Sequence, residues 1–264
     1  MILSAQTIST ESFEDRVRAA AGADCSGIGI RPRDYGRARI AGLTDADMRA
    51  VLSEHAVEVV EHQALRKWAY PDDRGRTDED ELWAIADALG GGYVIAITAE
   101  IPDTREAVAR RLAALAGRAA EHGLDVALEF LPWTDVPDAA TAWELVAAAD
   151  RPNVGVLVDA WHLFRGTGDL GQVRAIPADR IVAVHLADAD AEVVGTLPED
   201  TISRRRIPGE GALPLVELVR ALDEIGSRPR YAVEVLSDEQ RALPASDAAR
   251  RAADGARRVL EGAR

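Results

Sequence analysis

Four apolar runs in this chain each stop at an ionisable side chain: Val126-Ala-Leu-Glu129, Asn153-Val-Gly-Val-Leu-Val-Asp159, Ile181-Val-Ala-Val-His185 and Tyr231-Ala-Val-Glu234. Short runs rich in β-branched residues, without polar alternation, suit strands buried on both faces. Each abrupt stop then marks a strand whose last residue emerges at a polar site. Asn153 to Asp159, continuing as Ala-Trp161-His162-Leu-Phe-Arg165, is the sharpest example.

The rest of the chain alternates strand-like and helix-like patterns. Ile2 to Ile8 is a short apolar-leaning opening, and Ser12 is placed to cap a helix with Phe13, Val17 and Ala20 on one face. Gly27 to Arg31 reads as a strand. Thr44 and Asp47 resemble a capping box ahead of a helix with Met48, Val51 and Leu52 inward. Val57 to Glu61 is a third strand, ending at Glu61-His62. Thr77 reads as the cap of a helix whose stripe is Leu82, Ile85, Ala86 and Leu89, stopped by Gly90-Gly91-Gly92 before a strand over Tyr93 to Thr98.

In the second half, Val108, Leu112, Leu115 and Ala119 mark a helix over Arg105 to His122, and Gly123 ends it. Trp143 and Val146 mark a short helix, and another brief one lies around Leu170 to Ile176. A loop runs from Asp188 to Gly211. Leu215, Leu218, Val219 and Leu222 precede the last strand, and Ala245 to Leu260 closes the chain as a helix. Eight strands alternating with helices in 264 residues point to one (β/α)₈ barrel over residues 1–264, with no linker to divide it. A doubly wound open sheet fits less well, because Gly90-Gly91-Gly92 precedes a strand and cannot offer helix N–H groups to a phosphate.

Composition removes several functions. A formal charge of −14 and five histidines argue against a nucleic-acid surface or a histidine-rich endonuclease. Lys67 is the only lysine, which leaves one candidate for Schiff-base chemistry. Cys25, the single cysteine, excludes an intrachain disulfide and reads as a small buried hydrophobe. No apolar stretch is long enough to cross a bilayer and the amino terminus lacks a signal-like pattern, so a cytoplasmic protein with no membrane partner is expected.

Barrel closure gives the four strand-terminal residues one location, because the carboxyl ends of all strands gather on one face. Glu129, Asp159, His185 and Glu234 then ring one pocket. Three clustered carboxylates repel one another and take up protons unless a cation neutralises them. Oxygen donors with one imidazole suit a fairly hard divalent metal: Mn²⁺ first, with Mg²⁺, Co²⁺ or Zn²⁺ as alternatives.

Leu128-Glu129-Phe-Leu-Pro132, Asp159-Ala-Trp-His162, Val184-His185-Leu-Ala-Asp188, Arg206-Ile-Pro-Gly209-Glu210-Gly211 and Val233-Glu234-Val235, in that order, resemble the sugar phosphate isomerase/epimerase family with the xylose isomerase-like barrel. The resemblance covers most of the chain. It implies metal ligands at Glu129, Asp159, His185 and Glu234, and substrate contacts at His162 and one of Arg204 to Arg206, here taken as Arg206. It also implies that Glu129 and Glu234 exchange a carbon-bound proton as acid and base through an enediolate. His62, Trp68, Trp133 and Trp161 lie beside strand ends where they could wall the pocket; His62 and Trp161 are taken as substrate contacts. Asp188 is read as orienting a loop or a neighbouring group.

The expected activity is isomerisation or epimerisation of a sugar or polyol-like hydroxy-ketone. A dehydratase of a cyclic keto-polyol or keto-acid, such as inosose or 3-dehydroshikimate, and a non-catalytic barrel subunit are the alternatives. The expected partner is a small sugar-like molecule, and assembly into a homo-oligomer is left open.

Overall fold

Each apolar run becomes a strand, and the eight strands pair in parallel, in sequence order, into a closed barrel. The computed structural model describes residues 1–8 and 12–264. Its strands are β1 (Ile2–Leu3), β2 (Gly27–Ile30), β3 (Glu58–Leu65), β4 (Tyr93–Ala96), β5 (Asp125–Glu129), β6 (Val154–Asp159), β7 (Ile181–Leu186) and β8 (Arg230–Val233). β1 closes the ring against β8 through the Ile2–Ala232 and Leu3–Val233 pairs.

The helices are α1 (Phe13–Gly22), α2 (Pro32–Ile40), α3 (Asp45–Glu54), α4 (Arg76–Leu89), α5 (Arg105–Glu121) and α6 (Ala139–Ala149). After β6 come α7 (Ala160–Arg165), α8 (Leu170–Arg174), α9 (Leu197–Ser203), α10 (Leu215–Glu224), α11 (Asp238–Arg241) and α12 (Ala245–Gly262). Ser12 caps α1, and Thr44 with Asp47 forms the capping box of α3, as expected. Among the described residues no helix is long and apolar enough to cross a membrane.

The core has two parts. A large cluster fills the space between barrel and helices, and Tyr93, Ile95, Ala127, Leu157, Ala183 and Ala232 belong to a second, smaller cluster. Side chains alternate faces along a strand, so two residues beyond a member of this inner set the chain again points inward. Counting on by two from Ala127, Leu157, Ala183 and Ala232 reaches Glu129, Asp159, His185 and Glu234. One parity therefore supplies both the apolar filling and the polar mouth.

Three local expectations are corrected, and one helix, α2, has no counterpart in the sequence pattern. Thr77 does not cap α4: a 3₁₀ turn over Asp73–Gly75, capped by Asp72, leads into the helix at Arg76, so Thr77 lies inside its first turn. α2 lacks an apolar stripe, burying only Asp34 and Ala38, and its polar sequence hides it from periodicity. β3 runs on to Leu65, past the expected stop at Glu61-His62. β1 ends at Leu3, and the chain turns from Ala5 to Ile8. Cys25 is buried, and burial pushes its thiol pKa up.

Candidate metal centre

Glu129 ends β5, Asp159 ends β6, His185 lies one residue before the end of β7, and Glu234 follows β8. All four are buried, and one donor atom from each lies within 4.8 Å of the others. Burial in a shared site sets their proton affinities apart. Burial and the nearby Asp159 charge push Glu129 up to about 8. At Glu234 burial works in the same direction, but the His185 and Arg205 charges outweigh it and hold the carboxyl well below the usual range. Asp159 also overcomes its burial, chiefly through the Arg205 charge, and stays low. Burial disfavours charge on His185, yet Glu61 and Glu234 raise its pKa well above the ordinary imidazole value.

The donor set fits a divalent ion. His185 Nε2 donates to Glu61 Oε2 at 2.8 Å, while Nδ1 is buried without a hydrogen-bond partner, 3.4 Å from Glu234 Oε2 and 4.0 Å from Asp159 Oδ2. An imidazole locked by a carboxylate on one nitrogen and aimed at carboxylates with the other is the usual setting of a metal-ligating histidine. Tyr93 Oη donates to the same Glu61 oxygen at 2.7 Å, and Gln63 Nε2 lies 2.9 Å from Oε1. Gly29 makes this possible, since a Cβ there would sit 2.3 Å from Glu61 Oε1. Glu61→Gln is expected to weaken divalent-metal affinity by roughly 10- to 100-fold, because the amide cannot hold the ring as a carboxylate does. Metal titration by calorimetry reads it; unchanged affinity would remove Glu61 from the centre.

Glu234 is held from three sides. Ser4 Oγ donates to its Oε1 at 2.9 Å, Gln63 Nε2 approaches that oxygen at 2.8 Å, and Arg205 Nη1 reaches Oε2 at 3.3 Å. Arg205 Nη1 also donates to Asp159 Oδ2 at 2.7 Å, while Nε and Nη2 donate to Thr201 Oγ1 on α9. The loop that delivers Arg205 is pinned by Asp188, whose carboxylate accepts from the backbone N–H groups of Ala189, Gly209 and Leu213. The loop role expected of Asp188 matches this placement. Gly211 is required there, because a Cβ would stand 2.4 Å from Asp188 Oδ1 and from the Ala189 carbonyl oxygen.

Three expected substrate contacts lie elsewhere. Arg206 points away from the pocket, paired with Asp190 and Glu239, and Arg204 pairs with Asp190 and Asp200. Just past the end of α9, isolated bridges join Arg204 to Ser237 and Asp188 to Arg206. Alternation therefore turns the middle arginine, Arg205, inward and its neighbours outward. His62 faces out of the barrel, its Nε2 3.0 Å from the Gly90 carbonyl oxygen, and burial lowers its pKa to about 4. Trp161 is fully buried behind His162, because Asp159 Oδ1 caps α7 at the His162 N–H and the strand turns helical at once.

His162 does line the pocket, with Nε2 3.7 Å from Glu129 Oε1, and burial lowers its pKa to about 4, which keeps the ring neutral at ordinary pH. Trp133 stands edge-on to it at 5.3 Å and forms part of the wall. Trp68 is buried and donates to the Ile97 carbonyl oxygen. The cavity above the four clustered residues has a volume of about 610 Å³ and reaches Glu129, Glu234, His162, Gln63 and Arg205. Glu61 had a readable signal, as a fifth strand-like run ending in a carboxylate. Gln63 and Thr201 had none.

Residues 17–259 match the family described as xylose isomerase-like TIM barrel. A 3-dehydroshikimate dehydratase of Pseudomonas aeruginosa is 32% identical over 160 residues, 60% of this chain and 23% of that protein. The alignment with its Pseudomonas putida counterpart covers 21% of that protein, so the chain spans under a quarter of either dehydratase. An inosose isomerase of Bacillus velezensis is 25% identical over 214 residues, 76% of this chain and 75% of that protein. Among solved structures, the IolI protein with a bound zinc atom superposes with a TM-score of 0.86 at 22% identity, covering 98% of this chain and 97% of that one. L-Ribulose 3-epimerase gives 0.75 at 17% identity, over 100% of this chain and 95% of that one. At these identities the structural likeness concerns the fold.

Proposed function

Since the chain belongs to the xylose isomerase-like TIM barrel family, we propose that it is a divalent-metal-dependent isomerase or epimerase of a sugar or polyol-like hydroxy-ketone. The observation that carries this reading is the pairing of Glu129 and Glu234: both line one cavity, and their surroundings drive their proton affinities in opposite directions. Two titratable groups pushed apart in one pocket are the mark of an acid and a base.

A divalent ion held by Glu129, Asp159, His185 and Glu234, Mn²⁺ first and Mg²⁺, Co²⁺ or Zn²⁺ as alternatives, would supply Lewis acidity toward the oxygens of the hydroxy-ketone. The side chains divide the remaining work. Glu234, kept ionised by Arg205 and His185, takes the proton from the carbon beside the ketone. Glu129, whose proton affinity burial and the Asp159 charge raise in the metal-free protein, returns a proton to the opposite face of that carbon, giving the epimer, or to the former ketone carbon while the hydroxyl proton passes to the former ketone oxygen, giving the isomer. Arg205 fixes Asp159 and Glu234 in place, and neutral His162 contacts the substrate beside Glu129. Leu131, Trp133 and Leu236 line the same cavity and limit water around the reacting carbon.

Dehydration of a cyclic keto-acid is the second reading, supported by the 32% identity to a 3-dehydroshikimate dehydratase. The same two carboxylates would serve: Glu234 takes the carbon-bound proton and Glu129 protonates the departing hydroxyl, which leaves as water. Incubation with Mn²⁺ and a panel of ketoses, inososes and 3-dehydroshikimate in deuterated water separates the readings by mass spectrometry. Deuterium uptake without mass loss is expected for the isomerase or epimerase, and loss of water for the dehydratase. A panel in which neither occurs would overturn both.

A further inference from the structure

Four arginines line the cavity, Arg31, Arg33, Arg66 and Arg205, against two acidic side chains, Glu129 and Glu234. Arg205 is committed to Asp159 and Glu234. The other three share one wall, which is unexpected in a chain with a net charge of −14. Arg31 follows β2, Arg33 stands in the first turn of α2, and Arg66 follows β3. β2 and β3 are neighbours, and in the closed ring they face β6 and β7, which carry Asp159 and His185. The cavity thus has a carboxylate-rich wall and, across from it, a guanidinium-rich one.

Among the described residues, Arg33 and Arg66 are the least neutralised members of that second wall. Asp34 accepts from Arg31 at 2.7 and 3.0 Å and lies 3.7 Å from Arg16, and Arg31 makes a further interaction besides, so Arg33, 4.0 Å away, meets a carboxylate that is already engaged. The Arg33 side chain is 62% exposed and touches Asp34 only at that outer distance. Arg66 is exposed and has no hydrogen-bonded or ionic partner among the described residues. Burial, and after it the neighbouring Arg31 charge, lower the Arg33 pKa against the opposing effect of Asp34. The positive end of the α2 dipole adds to the same side.

We infer that the substrate carries an anionic group, a carboxylate or a phosphate, at the end away from its hydroxy-ketone, and that Arg33 and Arg66, backed by Arg31, receive it. The inference rests on the proton-transfer reading of this cavity and adds a second point of recognition. A planar guanidinium fork matches either anion, and repulsion within the arginine wall is relieved when one binds. Neutral inososes and free ketoses would leave that repulsion in place. Arg204 and Arg206, the arginines singled out in the sequence, are already spent on Asp190, Asp200 and Glu239, so the anion site moves to the opposite side of the barrel mouth.

The test uses two matched pairs of probes that differ in charge: 3-dehydroshikimate with its methyl ester, and D-fructose 6-phosphate with D-fructose. Calorimetry on the full chain with Mn²⁺, at low and high salt, should show the charged member of one pair binding about tenfold more tightly than its neutral partner. That margin should shrink with added salt and disappear in Arg33→Gln/Arg66→Gln, while Arg66→Lys keeps part of it. The pair that discriminates identifies carboxylate or phosphate. Equal affinities within both pairs, no binding by any probe, or a margin that survives the double substitution would overturn the anion site. Metal content of the same samples reads the proposed function separately: a charge margin in a protein that binds no metal would keep the anion site and remove the metal-dependent reading.

Discussion

Glu129→Gln is expected to lower turnover by roughly 10²- to 10⁴-fold at saturating metal, the usual worth of a positioned acid or base, while the barrel stays folded. The amide has nearly the shape of the carboxyl it replaces. Burial and Asp159 push Glu129 up to about 8 in the metal-free protein, so in that form the folded chain holds this group largely uncharged near neutral pH. Exchanging one neutral group for another of the same size should leave the melting temperature of the metal-free protein within a few degrees, a shift on the order of 1 kcal/mol or less. What the amide cannot do is give up and recover a proton. Steady-state assays across a metal titration separate this loss from weakened metal binding, since a ligand effect alone is rescued by more metal. Near-normal turnover of an identified substrate at high metal would remove Glu129 from the chemistry.

The second large effect is loss of the metal itself. Wild-type protein is expected to retain about one divalent ion per chain after dialysis, and Asp159→Ala/His185→Ala to retain none, because ligand loss compounds in a small closed donor set. The substitution removes two of the four donors and strips Glu61 of its histidine partner. Glu61 keeps the Tyr93 hydroxyl and the Gln63 amide, and Arg205 keeps Glu234 and Thr201, so no charge is left wholly without a partner. Circular dichroism of the variant should therefore still report a folded α/β protein. Elemental analysis of the two proteins side by side gives the result. Equal metal content, or a wild-type chain that binds neither Mn²⁺, Mg²⁺ nor Zn²⁺ by calorimetry, would dissolve the centre and favour a non-catalytic barrel.

Much of this site was legible before any coordinates, for a reason visible in its residues. Parallel strands buried on both faces leave few places for a charge, so Glu129, Asp159, His185 and Glu234 stood out where their apolar runs stopped. Strand order in a closed barrel then converts separations of tens of residues into one mouth. Glu61 carried the same mark, but a strand expected to end there hid its inward direction; β3 continues to Leu65, and its register against β2 shifts between Ile28 and Gly29.

Sequence by itself determined the fold class, the four convergent residues and the helix caps at Ser12 and Thr44, because periodicity and capping are local and repeat at fixed spacing. Only the tertiary structure decided which neighbour of a pair faces the barrel interior or its mouth: Glu61 rather than His62 against His185, and Arg205 rather than Arg206 and His162 rather than Trp161 on the cavity. Within an extended segment, adjacent side chains point to opposite faces, and one residue of register exchanges them. That register is set for Arg205 by the bridges of Arg206 to Asp188 and Arg204 to Ser237, and for His162 by the cap at Asp159 that turns strand into helix. Those partners are remote in sequence or depend on the start of a helix too short to show a period, and so the sidedness of each residue was settled by the folded chain.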